Sequence, residues 1–237
     1  MWHMYKMGGV TPAIASMFNA HNAQQMAFIR SMMKEQRKNE MYEMPLQDLE
    51  AVVFDLETTG FSPHNGDKII SIGAVKMDGG RITESSPSSF YSLVNPKREI
   101  PQVVEKLTGI TSEMTDEAPE LITVLHDFLH FSSSRVLICH GSGHDKHFLN
   151  SALWSTCRVN LSHRLLDCMI IAKWLDPHSG TYDLDTLLAK YQVPVTTRHH
   201  ALEDSMMTGQ LWREMIVDIE ARDIHTLGEL YEKLSWL

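Results

Sequence analysis

The chain has 237 residues, 43% of them hydrophobic and 22% charged, enough for one domain with a substantial core and an appendage. Its 21 basic and 30 acidic residues leave a net charge of −9, which argues against a protein that coats nucleic acid by neutralising phosphates. No apolar run reaches the roughly 18 residues of a membrane span, residues 1–10 lack an apolar signal region, and three cysteines without a C-x-x-C pair suggest a reducing, cytoplasmic setting.

Residues 1–46 hold nine of the 15 methionines. Pro12 suits a first-turn position, and Ile14, Met17, Phe18, Met26, Ile29 and Met33 recur at helical spacing, so a helix is expected from about residue 11 to 41. Met44-Pro45 would close it. This segment reads as an N-terminal helical extension packed on its own domain, which spans 47–237. A methionine-rich arm that docks a partner is the alternative.

The run 51–54 predicts a buried strand, 68–77 a second, Asp78-Gly-Gly80 a turn, and 81–94 a third strand interrupted at 84–89. Helical patterns follow at 101–107 and 119–131. A strand at 135–139 leads to a helix near 145–153, and a strand near 161–165 precedes helices at 167–175, 184–191, 201–219 and 226–234. Three strands joined by short turns, then strands alternating with helices, predict an α/β fold: a mixed five-stranded sheet flanked by helices.

Four short acidic segments stand out: Asp55-Leu-Glu57-Thr-Thr-Gly60, the Asp145 of His140-Gly-Ser-Gly-His-Asp145, Asp167, and His199-His-Ala-Leu-Glu-Asp204. Asp55 and Glu57 follow a strand two residues apart, so they share a face and can bridge metal ions; a solvated strand end is the plain alternative. Gly60 permits a sharp turn and a close approach of ligand. Asp145 opens a helix and would serve equally as a first-turn acid. Asp167, after a strand and before a helix, reads as a helix cap.

His199 and Asp204 are five apart, which does not share a face of one helix; with His199 on a loop and Asp204 in the next helix, both could face one cleft. A histidine with a pKa near about 6.5 is a suitable base for an attacking water. Adjacent His200 leaves the choice of histidine open. Cys139, His140, His144 and His147 have zinc-like chemistry, but no second cluster matches them and structural zinc is discounted. His140 remains a residue that could line the site.

Together, the order, spacing and flanks of these segments resemble the DEDDh exonuclease family, the DnaQ-like proofreading enzymes with a ribonuclease-H-like fold. The resemblance runs from about residue 48 to 215. It includes Val94-Asn-Pro96, Ile100-Pro101, Leu107-Thr-Gly-Ile-Thr111, Ala118-Pro119, Phe148-Leu149 and Tyr182-Asp-Leu-Asp-Thr-Leu187.

The resemblance implies a metal-dependent 3′–5′ exonuclease that releases nucleoside 5′-monophosphates from single-stranded or frayed DNA 3′ ends. Asp55, Glu57, Asp145 and Asp204 would hold two divalent cations, Mg²⁺ or Mn²⁺, and His199 would be the general base. Thr58, Gly60, Phe61, Leu107, Thr108 and His140 would contact the terminal nucleotides. The partner classes implied are single-stranded 3′ ends and a DNA polymerase or another replication or repair protein.

Glycine, serine and His144 stand where the family often has asparagine, alanine and an aromatic before the second aspartate, leaving the rear wall less hydrophobic. Three other readings are an RNA or short-oligonucleotide exonuclease of the same family, a non-catalytic nucleotide-binding or polymerase-associated module, and a small-molecule phosphodiesterase.

Overall fold

The computed structural model describes residues 12–35 and 41–236, without the side chains of residues 12–19 and 35. The helical spacing at Ile14, Met17 and Phe18 therefore concerns side chains outside the described ones, as does residue 11 and the stretch 36–40.

Helix α1 (Pro12–Glu35) opens the described chain. The sheet begins with β1 (Glu50–Thr58) and β2 (Ile69–Asp78), followed by β3 (Arg81–Ile82) and β4 (Ser89–Leu93). Helices α2 (Gln102–Thr108), α3 (Ser112–Asp116) and α4 (Leu121–Ser132) lead to β5 (Val136–Cys139). The rest alternates: α5 (Ser142–Cys157), β6 (Leu165–Asp167), α6 (Cys168–Leu175), α7 (Leu184–Lys190), α8 (Ala201–Glu220) and α9 (Leu227–Leu234). No described helix is long and apolar enough to cross a membrane.

The strands run in the order β3-β2-β1-β5-β6, with β4 also on β2. β1 is antiparallel to β2 and parallel to β5, which is parallel to β6. The sheet is mixed, as the sequence predicts, but has six strands rather than five. The third predicted strand splits because 84–88 loops out, and both halves pair with β2.

Strand alternation sorts the core into two layers. Val52, Phe54 and Leu56 of β1 face a cluster containing Phe128 of α4, Phe148 of α5 and Ile29 of α1. Ala51 and Val53 face the other cluster with Met207, Leu211, Trp212 and Met215 of α8. The face that carries Ala51 and Val53 continues to Asp55 and Glu57, so β1 delivers both carboxylates to the side that α8 covers.

The remaining differences are local and each has a visible cause. β6 was expected near 161–165 but begins at Leu165, because the Leu161 N–H donates to Asn150 Oδ1 (2.8 Å) and ties the preceding residues back to α5 as a loop. α5 begins at Ser142, ahead of the expected 145, so Asp145 lies inside the first turn and does not open the helix. The five-residue α3 was not expected; the Thr111 hydroxyl caps it by accepting from the Met114 N–H (3.3 Å). Within the described residues helix α1 reaches Glu35, and Met41, where the helix was expected to end, lies in a 3-10 turn.

Candidate active site

The carboxyl ends of the parallel strands β1, β5 and β6 lie on one side of the sheet, with β5 and β6 ending at Cys139 and Asp167 and β1 running on past them to Thr58; crevices at such strand ends are where ligands bind in α/β folds. A cleft of about 520 Å³ lies there. Asp55, Glu57, Asp204 and His199 line it, with Thr58, Gly60, Phe61, Leu107, Thr108 and His140. All of these sequence-predicted residues meet at one place, although they come from four separate segments.

The close seat of α8 on the sheet brings Asp204 to β1. Gly73 of β2 lies directly opposite Asp55 in the ladder, and a Cβ at Gly73 would fall 2.1 Å from the Ala201 carbonyl carbon and 2.2 Å from the Leu202 nitrogen. Only glycine lets the first turn of α8 approach the strand this closely. Ser205 Oγ then donates to the Gly73 carbonyl (2.9 Å) and pins the helix start. One ligand oxygen from each of Asp55, Glu57 and Asp204 can be chosen so that all three lie within 4.8 Å of one another.

Packing the carboxylates together leaves them short of positive charge. Burial first, then Asp145, Glu57 and Asp204, push Asp55 well above the usual carboxylate range. Glu57 is pushed up to about 7 by burial and by Asp204. Asp204 is raised by burial, against the opposing pull of Arg198 and of its hydrogen bonds. Deficient in cations and rich in hard oxygen donors, the cluster fits divalent ions such as Mg²⁺ or Mn²⁺.

Asp145 is placed differently. It is buried on α5, raised by burial and by Asp167, and it acts electrostatically on Asp55, but it does not line the cleft. Asp167 is the cap that its position predicts, accepting from the Met169 N–H (2.8 Å). It also accepts from the Gly141 N–H (2.9 Å) and the Ser142 N–H (2.7 Å), so one carboxylate sets the start of both α6 and α5. The β5–α5 loop, and with it His140 and Asp145, is held by that carboxylate.

His199 sits on the loop before α8 with a left-handed backbone (φ 60°), and its N–H donates to Asp204 Oδ2 (2.9 Å). His200 stacks on Tyr91 at 4.6 Å between ring centroids, and of the two histidines only His199 lines the cleft. His140 is kept toward its neutral form by burial. The turn after β1 is closed by Asp67, which accepts from the Ser62 N–H (3.0 Å) and the Thr59 hydroxyl (3.2 Å). A Cβ at Gly60 would meet that carboxylate at 2.4 Å, so the close approach at Gly60 is made by Asp67 as well as by any ligand.

Sequence reasoning missed several wall residues. Val103 and Val104 of α2, Asp183 and Leu184 line the cleft, as does His144, which the resemblance already put at the rear wall; the Thr58 hydroxyl lies 3.3 Å from His144 Nε2. Arg198 was also missed: it hydrogen-bonds Asp204 through Nη1 and Asp185 Oδ1 through Nε (2.5 Å). The one available signal was its position beside His199 in an otherwise acidic segment.

Residues 52–212 match the family model described as Exonuclease, the RNase T family. The chain is 32% identical over 191 residues to the PolC-type DNA polymerase III of Bacillus subtilis (strain 168), and 34% identical over 188 residues to that of Clostridium perfringens. Those alignments cover 80% and 78% of this chain but 13% of each relative, so the chain spans about an eighth of their length. In fold it is similar to exonuclease X, solved with 5′ overhanging duplex DNA (TM-score 0.59, 21% identity, 78% of this chain and 99% of that one). It is likewise similar to a structure titled for recognition of the histone mRNA stem-loop by 3′-exonuclease (TM-score 0.61, 19% identity, 89% and 75%). The chain belongs to the RNase T, DnaQ-like exonuclease family, on a ribonuclease-H-like α/β fold.

Proposed function

We propose that this chain is a 3′–5′ exonuclease that releases nucleoside 5′-monophosphates from single-stranded or frayed DNA 3′ ends. The observation that carries this reading is the gathering of Asp55, Glu57 and Asp204 ligand oxygens within 4.8 Å at the wall of a cleft that His199 also lines. Its likeness to a segment of PolC-type DNA polymerases supports DNA over RNA, and supports work beside a polymerase. Residues 47–237 then form the catalytic unit, and residues 1–46 the extension whose helix α1 packs on it.

Asp55, Glu57 and Asp204, with Asp145 beside Asp55, would hold two divalent cations, Mg²⁺ or Mn²⁺. When bound, such ions stabilise the negative charge that develops on the phosphate and lower the pKa of the attacking water. A ring nitrogen of His199 accepts the proton of that water. Phe61, which is 88% exposed, stacks on the terminal base, and Leu107 and Val103 wedge against the next one. Thr58 and Gly60 contact the terminal sugar and phosphate through the turn after β1. These contacts read no base edge, so little sequence preference is expected.

The test is hydrolysis of matched 5′-labelled DNA and RNA oligonucleotides with Mg²⁺, Mn²⁺ or chelator, beside His199→Ala. A metal-dependent ladder shortening from the 3′ end, slowed about 10²- to 10⁴-fold in the variant, is expected. Absence of cleavage of both polymers under every metal would overturn the reading in favour of a binding module.

A further inference from the structure

The outer face of α5 has no exposed acid, although the chain carries a net charge of −9. The acid of this helix, Asp145, is buried, while Lys146, His147, Trp154 and the following Arg158 are exposed and Asn150 is half-buried. Lys146, Asn150, Trp154 and Arg158 recur at four-residue intervals and so form one ridge. Helix α5 itself starts at the cleft, which His144 of its first turn lines: Phe61 meets His144 edge-on at 5.8 Å, and one turn further His64 meets His147 at 5.7 Å.

At its far end the ridge opens into a groove of about 870 Å³, lined by Arg30 and Lys34 of α1, Trp154 and Arg158, with no acidic residue among the described residues of its walls. Arg30 is fixed there, its Nε donating to the Cys157 carbonyl (3.0 Å). The Arg158 guanidinium lies 5.9 Å from the Trp154 ring, which is itself 52% exposed. Among the described residues, Lys34, Lys146 and Arg158 take part in no ion pair. On the flank of α5 that carries Ser151 and Ser155, Asp67 is already engaged by Arg98 (3.4 Å).

We infer that the single strand whose 3′ end enters the cleft runs back along this ridge, and that Trp154, Arg158, Arg30 and Lys34 form a remote site for its upstream nucleotides. The inference rests on the exonuclease reading proposed above. An exposed indole between unpaired cations offers a base its stacking face and the backbone its counter-charges, without reading sequence. The 16 residues of α5 extend about 24 Å at roughly 1.5 Å per residue. At a spacing of roughly 3.4 Å per phosphate that is about seven nucleotides, and fewer for a stretched strand. Short substrates therefore never reach the groove.

The test uses the full chain with Mg²⁺, as wild type, Trp154→Ala, Trp154→Phe and Arg158→Glu. Substrates are the p-nitrophenyl ester of thymidine 5′-monophosphate and a series of 5′-labelled oligothymidylates of increasing length. For the wild type, kcat/KM rises with length up to about five to seven nucleotides and then levels off. Trp154→Ala and Arg158→Glu keep wild-type turnover of the ester. On the long oligonucleotide they lose about five- to a hundredfold through KM, and Trp154→Phe restores most of it. Arg158→Glu also makes the salt dependence of oligonucleotide binding shallower, by about 0.7 or more in the logarithmic slope.

Unchanged length dependence in the variants, or equal losses on ester and oligonucleotide, would overturn the track while leaving the exonuclease intact. A wild type that hydrolyses neither substrate would overturn both readings.

Discussion

Arg198 places its guanidinium on Asp204, one of the three carboxylates that converge in the cleft, and anchors itself on the other side to Asp185. The same Asp204 carboxylate accepts from the His199 N–H at 2.9 Å, so both of its oxygens are fixed before any metal arrives. Arg198 is thus the resident counter-cation of the cluster and the natural competitor of a divalent ion.

Arg198→Gln should lower the melting temperature in chelator by several degrees, consistent with losing about 2 kcal/mol when a buried carboxylate loses its partner. Removing the competitor should tighten Mn²⁺ binding by about three- to tenfold. Thermal melts with and without metal, and a calorimetric titration, check both. Unchanged metal affinity would show that Arg198 does not compete.

Asp55→Asn should act in opposite directions on stability and activity. Asp55 is raised by burial and by three neighbouring carboxylates, so a neutral isostere relieves repulsion and the metal-free protein melts higher. Exonuclease activity should fall by at least about a thousandfold, because a ligand of the cluster is lost. A variant that melts lower in chelator would contradict the charge argument.

Glu57 links pH to stability. Its folded-state pKa of about 7 lies above its ordinary 4.5, so the folded protein keeps a proton that the unfolded chain releases. The stabilising contribution is fully present below about pH 4.5 and is lost as pH rises through about 7. Metal-free protein should therefore lose stability between about pH 5 and about pH 7.5, with a shallower loss in Glu57→Gln. Metal affinity should run the other way, rising toward about pH 7, since a bound proton must leave first. Melting temperatures and Mn²⁺ titrations across that range supply the check.

Gly73→Ala should damage the site without touching a ligand. Its Cβ would fall about 2 Å from the backbone of Ala201 and Leu202, and must push α8 off the sheet. We expect a loss of at least about 1–3 kcal/mol and a fall in kcat larger than the stability change explains. Equilibrium unfolding alongside single-turnover hydrolysis separates the two effects.

Ile29→Ala tests whether α1 belongs to the folded body. Ile29 is fully buried against the α4–α5 side of the core. A loss of about 2–4 kcal/mol in denaturant unfolding is expected, with kcat unchanged. A negligible loss would mark α1 as a loosely attached arm.

The sequence by itself determined the elements whose signals are local. The apolar run 51–54 predicts a buried strand, and the two-residue spacing after it puts Asp55 and Glu57 on one face; both lie inside β1, on the face covered by α8. Asp167 at a strand-to-helix junction reads as a cap, and it caps α6. The spacing from His199 to Asp204 calls for a loop residue and a helix residue, which is how they lie.

Tertiary structure decided the rest. The start of α5 depends on Asp167 accepting from Gly141 and Ser142, about 25 residues away in the chain, and periodicity in residues 142–157 cannot register a distant acceptor. The onset of β6 depends on Asn150 capturing the Leu161 N–H. Arg198 in the cluster, Asp145 set behind it, and His200 turned onto Tyr91 are all outcomes of which side chains packing leaves room for. Periodicity reports interactions within a turn or a strand, whereas a pairing between remote segments exists only once the helices have seated on the sheet.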